Sequence, residues 1–470
     1  MTSARAAGFS VAALLLLRLA MAAILPLSAD EAYYWLWSRH LAAGYYDHPP
    51  AIAFVIRFGT WLLGDTELGV RLGGVLLSAL ASWFVWQTAR LILKDEARAA
   101  LAALLFNLTL MIGVETLAAT PDTLSVTATA GLMFFLAKVR ESGDGRWWLC
   151  VGLLGGLGLL SKYSGFFIGL GALVWLLAGA RGSLRTLWPW LGAVLALLIF
   201  LPNLWWQTGH HWMTFAFQFG RVTGGHLTGR YLLEFAGSQL GLATPFILIL
   251  MILGLWRARR PDDPRFSLVC LTLPALIYFL LHALHDRVQG NWPCFLYPML
   301  AVLAADAFRH DWRNLSSRLA MPVAALVLFA AYLQAATGFL PLKADPLARL
   351  LGVGMRDTVR EIVTLRSESG ARAIAASDYE MTSWLRFYAP ALPLVALDQP
   401  DRYLGSPAVT PVPEPLLYVA DRDPDTAVLA DFRKVSQLPD VFRARHGRII
   451  ARYTAWLLAV PKQPIEGKLP

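Results

Sequence analysis

Apolar residues in this chain come in long runs, not in the alternating or 3.6-residue stripes that mark half-buried strands and helices. Stretches such as 11–25, 101–110 and 194–201 carry almost no charge. A helix of about 20 such residues crosses a hydrocarbon layer of ~30 Å. On this pattern, spans are expected near 8–29, 67–92, 98–118, 122–140, 147–161, 163–180, 187–204, 235–256, 266–284, 292–308 and 319–339. After about residue 340 the pattern changes. Pro, Asp and Arg become frequent, and short alternating runs at 373–376, 416–420 and 449–459 read as strands, with helices at 358–366 and 381–388. The expected fold is a polytopic α-helical membrane protein of about eleven transmembrane helices over residues 1–340, followed by a small α/β domain over 341–470. The sequence shows no internal repeat and no low-complexity tract.

Composition sharpens this reading. Of the 470 residues, 57% are hydrophobic and 16% charged, against about half and about a quarter in soluble domains. The net charge of +9 could suggest nucleic acid, but its distribution excludes that. Basic residues gather in alternate loops: Lys94 and Arg98; Lys138, Arg140 and Arg146; Arg181 and Arg185; Arg257, Arg259, Arg260 and Arg265; Arg309, Arg313 and Arg318. The loops between these hold fewer, among them Arg39, Lys162, Arg221, Arg230 and Arg287. That is the positive-inside signature, with the N-terminus in the cytoplasm. It puts the 30–66 loop, the 119–122 turn, the 205–234 loop, the 285–291 loop and the C-terminal domain on the outer side of the membrane. Cys150, Cys270 and Cys294 lack metal-ligand spacing and read as small core residues. The first apolar run lacks a small-residue cleavage site and reads as a span, not a signal peptide.

Ionisable residues at one membrane face are the candidates for chemistry. Asp30 and Glu31 end the first span, where charge is costly and usually functional. The competing reading is N-capping of the segment that follows. Tyr33, Tyr34, Trp35 and Trp37 suit either substrate contact or an interfacial aromatic belt. Further on, Tyr46 precedes Asp47 and His48, and Pro49-Pro50 would fix the chain direction there. Asp122, in Thr120-Pro121-Asp122, reads as an N-cap or as a second acidic site residue. Lys162, in Ser161-Lys162-Tyr163, and Arg287, in a turn that also carries Asn291, either snorkel to lipid headgroups or bind the phosphate of a lipid-linked donor. Carboxylates and cations beside lipid suit activation of a nucleophile and stabilisation of a departing phosphate.

These motifs together resemble the GT-C glycosyltransferases, in the branch of bacterial relatives of protein O-mannosyltransferases and the lipid A aminoarabinose transferase. The stretch 30–50, with 119–123, Ser161-Lys162-Tyr163 and 287–293, carries the resemblance. It implies that Asp30 orients or deprotonates the acceptor, with Glu31 supporting it and Asp122 as a second acid. It implies a donor phosphate site at His48, Lys162 and Arg287, and substrate contacts from Tyr33, Tyr34, Tyr46, Asp47 and Asn291. His48 departs from the pattern, because the aminoarabinose transferase has a Lys there. The resemblance fixes no cofactor; a divalent cation is one option, with Asp47 and His48 as candidate ligands.

The implied activity is transfer of a hexosyl or pentosyl unit from a polyprenyl-phosphate-linked donor to lipid A, lipopolysaccharide or another envelope glycan. Protein O-glycosylation is the alternative within the enzyme class. A transporter or flippase is the alternative outside it, but that would favour charges at mid-bilayer depth and repeated halves.

Overall fold

The apolar runs fold as helices, and the points where they break come from local chemistry. The computed structural model describes residues 2–220, 227–309, 311, 313–342, 345–397, 399–421 and 423–470; Arg221 of the expected outer loop lies outside these. Among the described residues, five helices are long and apolar enough to cross a membrane: Ala4–Ile24, Glu67–Leu93, Pro121–Ser142, Trp188–Gly209 and Leu315–Thr337. Shorter apolar helices include Trp147–Ser161, Gly165–Gly179 and Phe266–His282. The single span expected at 235–256 is broken. Helices Arg230–Ala243 and Pro245–Arg257 meet at 105°, because Pro245 cannot donate to the preceding turn and Thr244 adopts φ +65°. A sixth span exists if that pair counts as one. The run at 98–118 is likewise divided, into Glu96–Leu108 and Leu110–Glu115, with Thr109 capping the second piece.

The chain forms two compact units. The first comprises residues 1–22, 47–55 and 71–330. Its centre is the Pro121–Ser142 helix, buried along most of its length and packed on Trp147–Ser161, which in turn packs on Trp188–Gly209. Glycine makes the second contact close: a Cβ on Gly152 would stand 2.1 Å from the Gly192 carbonyl oxygen, so small residues here set the helix spacing. Leu197, Leu198, Leu201 and Trp205 on the Trp188–Gly209 helix stay exposed within the chain, as lipid-facing side chains would. Some buried polar residues inside this unit pair with one another across helices. Buried Arg18 donates to Ser78 Oγ at 3.0 Å and Asn107 Oδ1 at 3.3 Å. Two arginines expected on the cytoplasmic side gather on two acids: Arg98 and Arg265 both pair with Asp306, and Arg265 also pairs with Asp263.

The second unit comprises 23–46, 56–70 and 331–470. Its sheet contains β1 (Ala373–Ala376), β3 (Leu416–Asp421), β4 (Phe432–Arg445) and β5 (Arg448–Pro461), in the order β1-β3-β5-β4. β1 and β3 run parallel and the other pairings are antiparallel. A short second ribbon pairs β2 (Ala408–Val409) with β6 (Gly467–Lys468). Small and aliphatic side chains, including Ala373, Ala375, Val395, Leu416 and Leu458, fill one face. Buried Arg443 donates to the main-chain oxygens of Val353, Ala348 and Arg349, tying β4 to the Pro346–Leu350 helix. Most of the expected 30–66 outer loop also joins this unit, all but residues 47–55. Its residues 29–39 form a helix, Ala29–Arg39, that packs on the Tyr379–Tyr388 helix. Trp384 Nε1 donates to the Leu27 carbonyl at 3.0 Å, and the Leu27 N–H donates to Tyr388 Oη at 3.2 Å. Gly352, at φ +47°, is required beside them, since a Cβ there would lie 2.2 Å from the Leu27 oxygen.

Candidate active site

Asp30 stands in the first turn of the Ala29–Arg39 helix, and its neighbours are fixed by the cap. Ser28 is the N-cap, and its hydroxyl accepts from the Glu31 N–H at 3.2 Å. Glu31 Oε2 in return accepts from the Ser28 N–H at 2.9 Å and hydroxyl at 3.1 Å. This is a complete capping box, so the capping alternative holds for fully buried Glu31. Asp30 is engaged differently. Its Oδ1 accepts from the Tyr379 hydroxyl at 3.0 Å. Tyr379 opens the Tyr379–Tyr388 helix, whose N-cap Asp378 accepts from the Met381 N–H at 2.8 Å. Above these rings lies Arg402, its guanidinium carbon 4.2 Å from the Tyr379 ring centre, 5.1 Å from Tyr46 and 5.5 Å from Tyr33. Tyr33 packs on Tyr379 at 4.9 Å, and Tyr34 is buried beneath against Trp37.

The electrostatics of this cluster centre on a carboxyl crowded by protein although its own surface stays open. That crowding raises the Asp30 pKa; the Tyr379 hydrogen bond opposes the rise, nearby Glu31 adds to it and Arg402 opposes it. Burial also lifts the Tyr379 phenol, with Asp30 reinforcing the effect. Glu380 is pushed up to about 7 by desolvation, helped by Asp378, Asp30 and Asp421 and opposed by Arg443. A cavity of about 390 Å³ adjoins Tyr379, with Glu380, Trp384, Asp421 and Tyr453 among its walls. That is within the range of small-molecule sites.

A second cluster lies in the other unit. Of the two readings of Asp122, N-cap or acidic site residue, the first does not hold: Thr120 occupies the cap position of the Pro121–Ser142 helix and the Asp122 side chain turns elsewhere. Its Oδ1 accepts from Lys162 Nζ at 2.7 Å and lies 3.1 Å from Cys294 Sγ, while Oδ2 accepts from Asn291 Nδ2 at 3.1 Å. Asp122 is almost wholly buried and the Lys162 side chain is 16% exposed. The structure therefore brings Asp122, Lys162 and Asn291 together as an ion pair with a hydrogen-bonding flank. Arg287 is placed apart from that pattern, exposed and 3.4 Å from Glu234. Asp47 is buried, its carbonyl accepting from Gln218 Nε2 at 2.5 Å, and His48 is half-buried. Among the described residues no three His, Cys, Asp or Glu side chains converge as a metal cage. Asp47 and His48 remain the candidate ligands for a cation, and no step below is routed through one.

Sequence reasoning missed Tyr379, Arg402, Cys294 and Gln218. Cys294 had been assigned to the core. The other three carry no local motif, and only the fold brings them to residues far along the chain.

Similarity to known proteins agrees with this architecture. The family model described as dolichyl-phosphate-mannose-protein mannosyltransferase matches residues 47–206. A lipid A galacturonosyltransferase of Rhizobium johnstonii is 27% identical over 377 residues, covering 76% of each chain. The undecaprenyl phosphate-alpha-4-amino-4-deoxy-L-arabinose arabinosyl transferase 1 of Sodalis glossinidius is 27% identical over 57% of this chain and 50% of its own length. The crystal structure of ArnT from Cupriavidus metallidurans in the apo state superposes with TM-score 0.68 at 16% identity, covering 98% of this chain and 100% of that one. The chain is thus similar in sequence to glycosyltransferases and shares the ArnT fold. The two clusters fall in different units of the chain: the Asp30 group in the unit containing the C-terminal sheet, and the Asp122 group in the unit of apolar helices.

Proposed function

We propose that this protein is an integral-membrane glycosyltransferase of the GT-C type that moves a sugar from a polyprenyl-phosphate-linked donor to lipid A, lipopolysaccharide or a related envelope acceptor on the periplasmic face. The observation that carries the reading is the similarity to a lipid A galacturonosyltransferase over three quarters of both chains. The ArnT fold has also been seen with undecaprenyl phosphate bound, and that structure superposes on this chain with TM-score 0.65. In the full topology, eleven segments cross the membrane, with the shorter apolar helices counted as spans and the C-terminal domain outside. The transferred unit is a hexosyl or pentosyl group.

The chemistry is a displacement at the anomeric carbon. An acceptor hydroxyl oxygen bonds to that carbon while its proton passes to the Asp30 carboxylate. The bond from the anomeric carbon to the phosphate oxygen breaks, and the electron pair leaves with polyprenyl phosphate. Asp30 suits the first role because its Oδ1 is anchored by Tyr379 and its surface is open, with no hydrogen bond to Oδ2 among the described residues. His48, Lys162 and Arg287 are the cations proposed for the leaving phosphate, with Tyr33, Tyr34, Tyr46, Asp47 and Asn291 as substrate contacts or their supports. Glu31 braces the Asp30 turn through its capping box.

Mass spectrometry of lipid A and whole lipopolysaccharide from a deletion strain, complemented with wild-type or Asp30→Asn protein, tests this. Wild type should restore one defined sugar mass, and Asp30→Asn should lose at least about 100-fold, the scale of a general-base contribution. A profile that the deletion leaves unchanged would remove lipopolysaccharide as the acceptor. Full activity in Asp30→Asn would remove Asp30 from the chemistry.

A further inference from the structure

The C-terminal domain supplies no reacting group to the displacement just described, yet it reaches the carboxylate at its centre. Two of its residues do so. Tyr379 donates its hydroxyl proton to Asp30 Oδ1 at 3.0 Å. Arg402, in the short Pro400–Tyr403 turn, lies 4.2 Å above the Tyr379 ring and also covers Tyr46 and Tyr33. A guanidinium over an aromatic face fixes the ring's position and polarises its hydroxyl. The ring in turn fixes the carboxylate. Tyr33 closes the arrangement from the Ala29–Arg39 helix, its ring 4.9 Å from Tyr379.

We propose that Tyr379 and Arg402 are positioning residues for the Asp30 carboxylate, so that the C-terminal domain completes the transferase site by orienting its base. The proposal rests on the transferase reading for its meaning, but its geometry does not. A single phenol hydrogen bond holds Oδ1 and turns Oδ2 to the open side, where an acceptor hydroxyl can reach it. Without that bond the side chain gains rotamer freedom, and a near-attack geometry is lost. The charged and titratable groups facing Asp30 are Glu31 on its own helix, Tyr379 and Glu380 from the helix packed against it, and Arg402 from the turn above. Glu31 and Glu380 disfavour the ionised form; Tyr379 and Arg402 favour it. Removing either of the latter two must therefore make Asp30 harder to ionise.

The test measures Asp30 directly in the full-length protein. Carbodiimide labelling of its carboxyl, followed across pH by peptide mass spectrometry, reads the protonated fraction without any turnover. Tyr379→Phe, which deletes one oxygen and keeps the ring, should move the labelling midpoint up by about one pH unit, the size expected for a charge-assisted hydrogen bond. Arg402→Gln should also move it up, and Arg402→Lys should reverse most of that shift. In transfer assays both Tyr379→Phe and Arg402→Gln should lower kcat more than they raise KM, with the acid limb of the profile displaced to the same side. A midpoint unmoved in both variants, or activity falling equally at every pH, overturns the positioning role. If the midpoint moves while wild type transfers no sugar, the coupling stands and the transferase reading fails. If wild type transfers sugar and the midpoint is fixed, the reverse holds.

Discussion

Asp122 and Lys162 show how a lone charge changes meaning once its partner is known. In the sequence they are 40 residues apart, one a candidate acid and the other a candidate phosphate ligand. In the fold each largely cancels the other. A carboxylate offers about four lone-pair sites, and Lys162, Asn291 and Cys294 all approach those of Asp122. Little remains for a proton in flight, so Asp122 is better suited to aim Lys162 and Asn291 than to act as a base. Lys162→Met should strand a buried carboxylate at a cost of about 3–5 kcal/mol, while Asp122→Leu with Lys162→Met should be less destabilised than either single change. Thermal unfolding of the three variants in detergent measures this; strictly additive losses would mean that the pair is not coupled. Both residues were legible as isolated charges at span ends. Their pairing was not, because nothing local encodes a contact between two turns.

At the scale of elements, the helices were legible wherever an apolar run met no local conflict. The break at Thr244–Pro245 was written in the sequence too, but the expected span ran straight through the proline because hydropathy dominated the reading. β4 was missed for another reason. Five successive residues, 433–437, are exposed and buried Arg443 is charged, so no apolar period-2 signal marks the strand. The Ala29–Arg39 helix was concealed by its aromatics, which suited a membrane belt, although Ser28 and Glu31 formed a readable capping box. Arg18 is the reverse case, a charge within an apolar run with no obvious purpose. It joins three helices through Ser78 and Asn107, which holds Ser82 in turn. If this is polar packing only, Arg18→Met should cost within about 1 kcal/mol, since the stem is replaced and the buried charge removed. Arg18→Ala should cost about 2–4 kcal/mol through the void it leaves. Equal losses from both substitutions, measured by unfolding in detergent, would show that the charge itself is needed.

On the scale of the whole molecule, the reading of a membrane module followed by an appended domain describes the order of the chain but not its packing. One compact unit takes residues 23–46 and 56–70 together with 331–470, so the helix bearing Asp30 belongs with the C-terminal sheet. The contacts are specific: Trp384 and Tyr388 hold the backbone of Leu27, Arg356 pairs with Glu67 at 2.5 Å, and Tyr379 holds Asp30. A composition shift near residue 340 marks where apolar spans stop, and it carries no information about which earlier segment the later one binds. It follows that the C-terminal segment cannot be removed as an accessory. A chain ending at residue 340 should insert into the membrane, because its apolar runs are intact, yet transfer no sugar. Its Ala29–Arg39 helix should become protease-sensitive, since Tyr33, Tyr34 and Trp35 would lose the surface that buries them. Limited proteolysis of membranes containing either length, read by peptide mass spectrometry beside the lipid A profile, distinguishes the outcomes. Cleavage near 29–39 in the short chain alone, with transfer lost, supports a shared unit. A short chain that resists cleavage and still transfers would show that the amino-terminal segments hold Asp30 unaided, and that the sheet serves some other purpose.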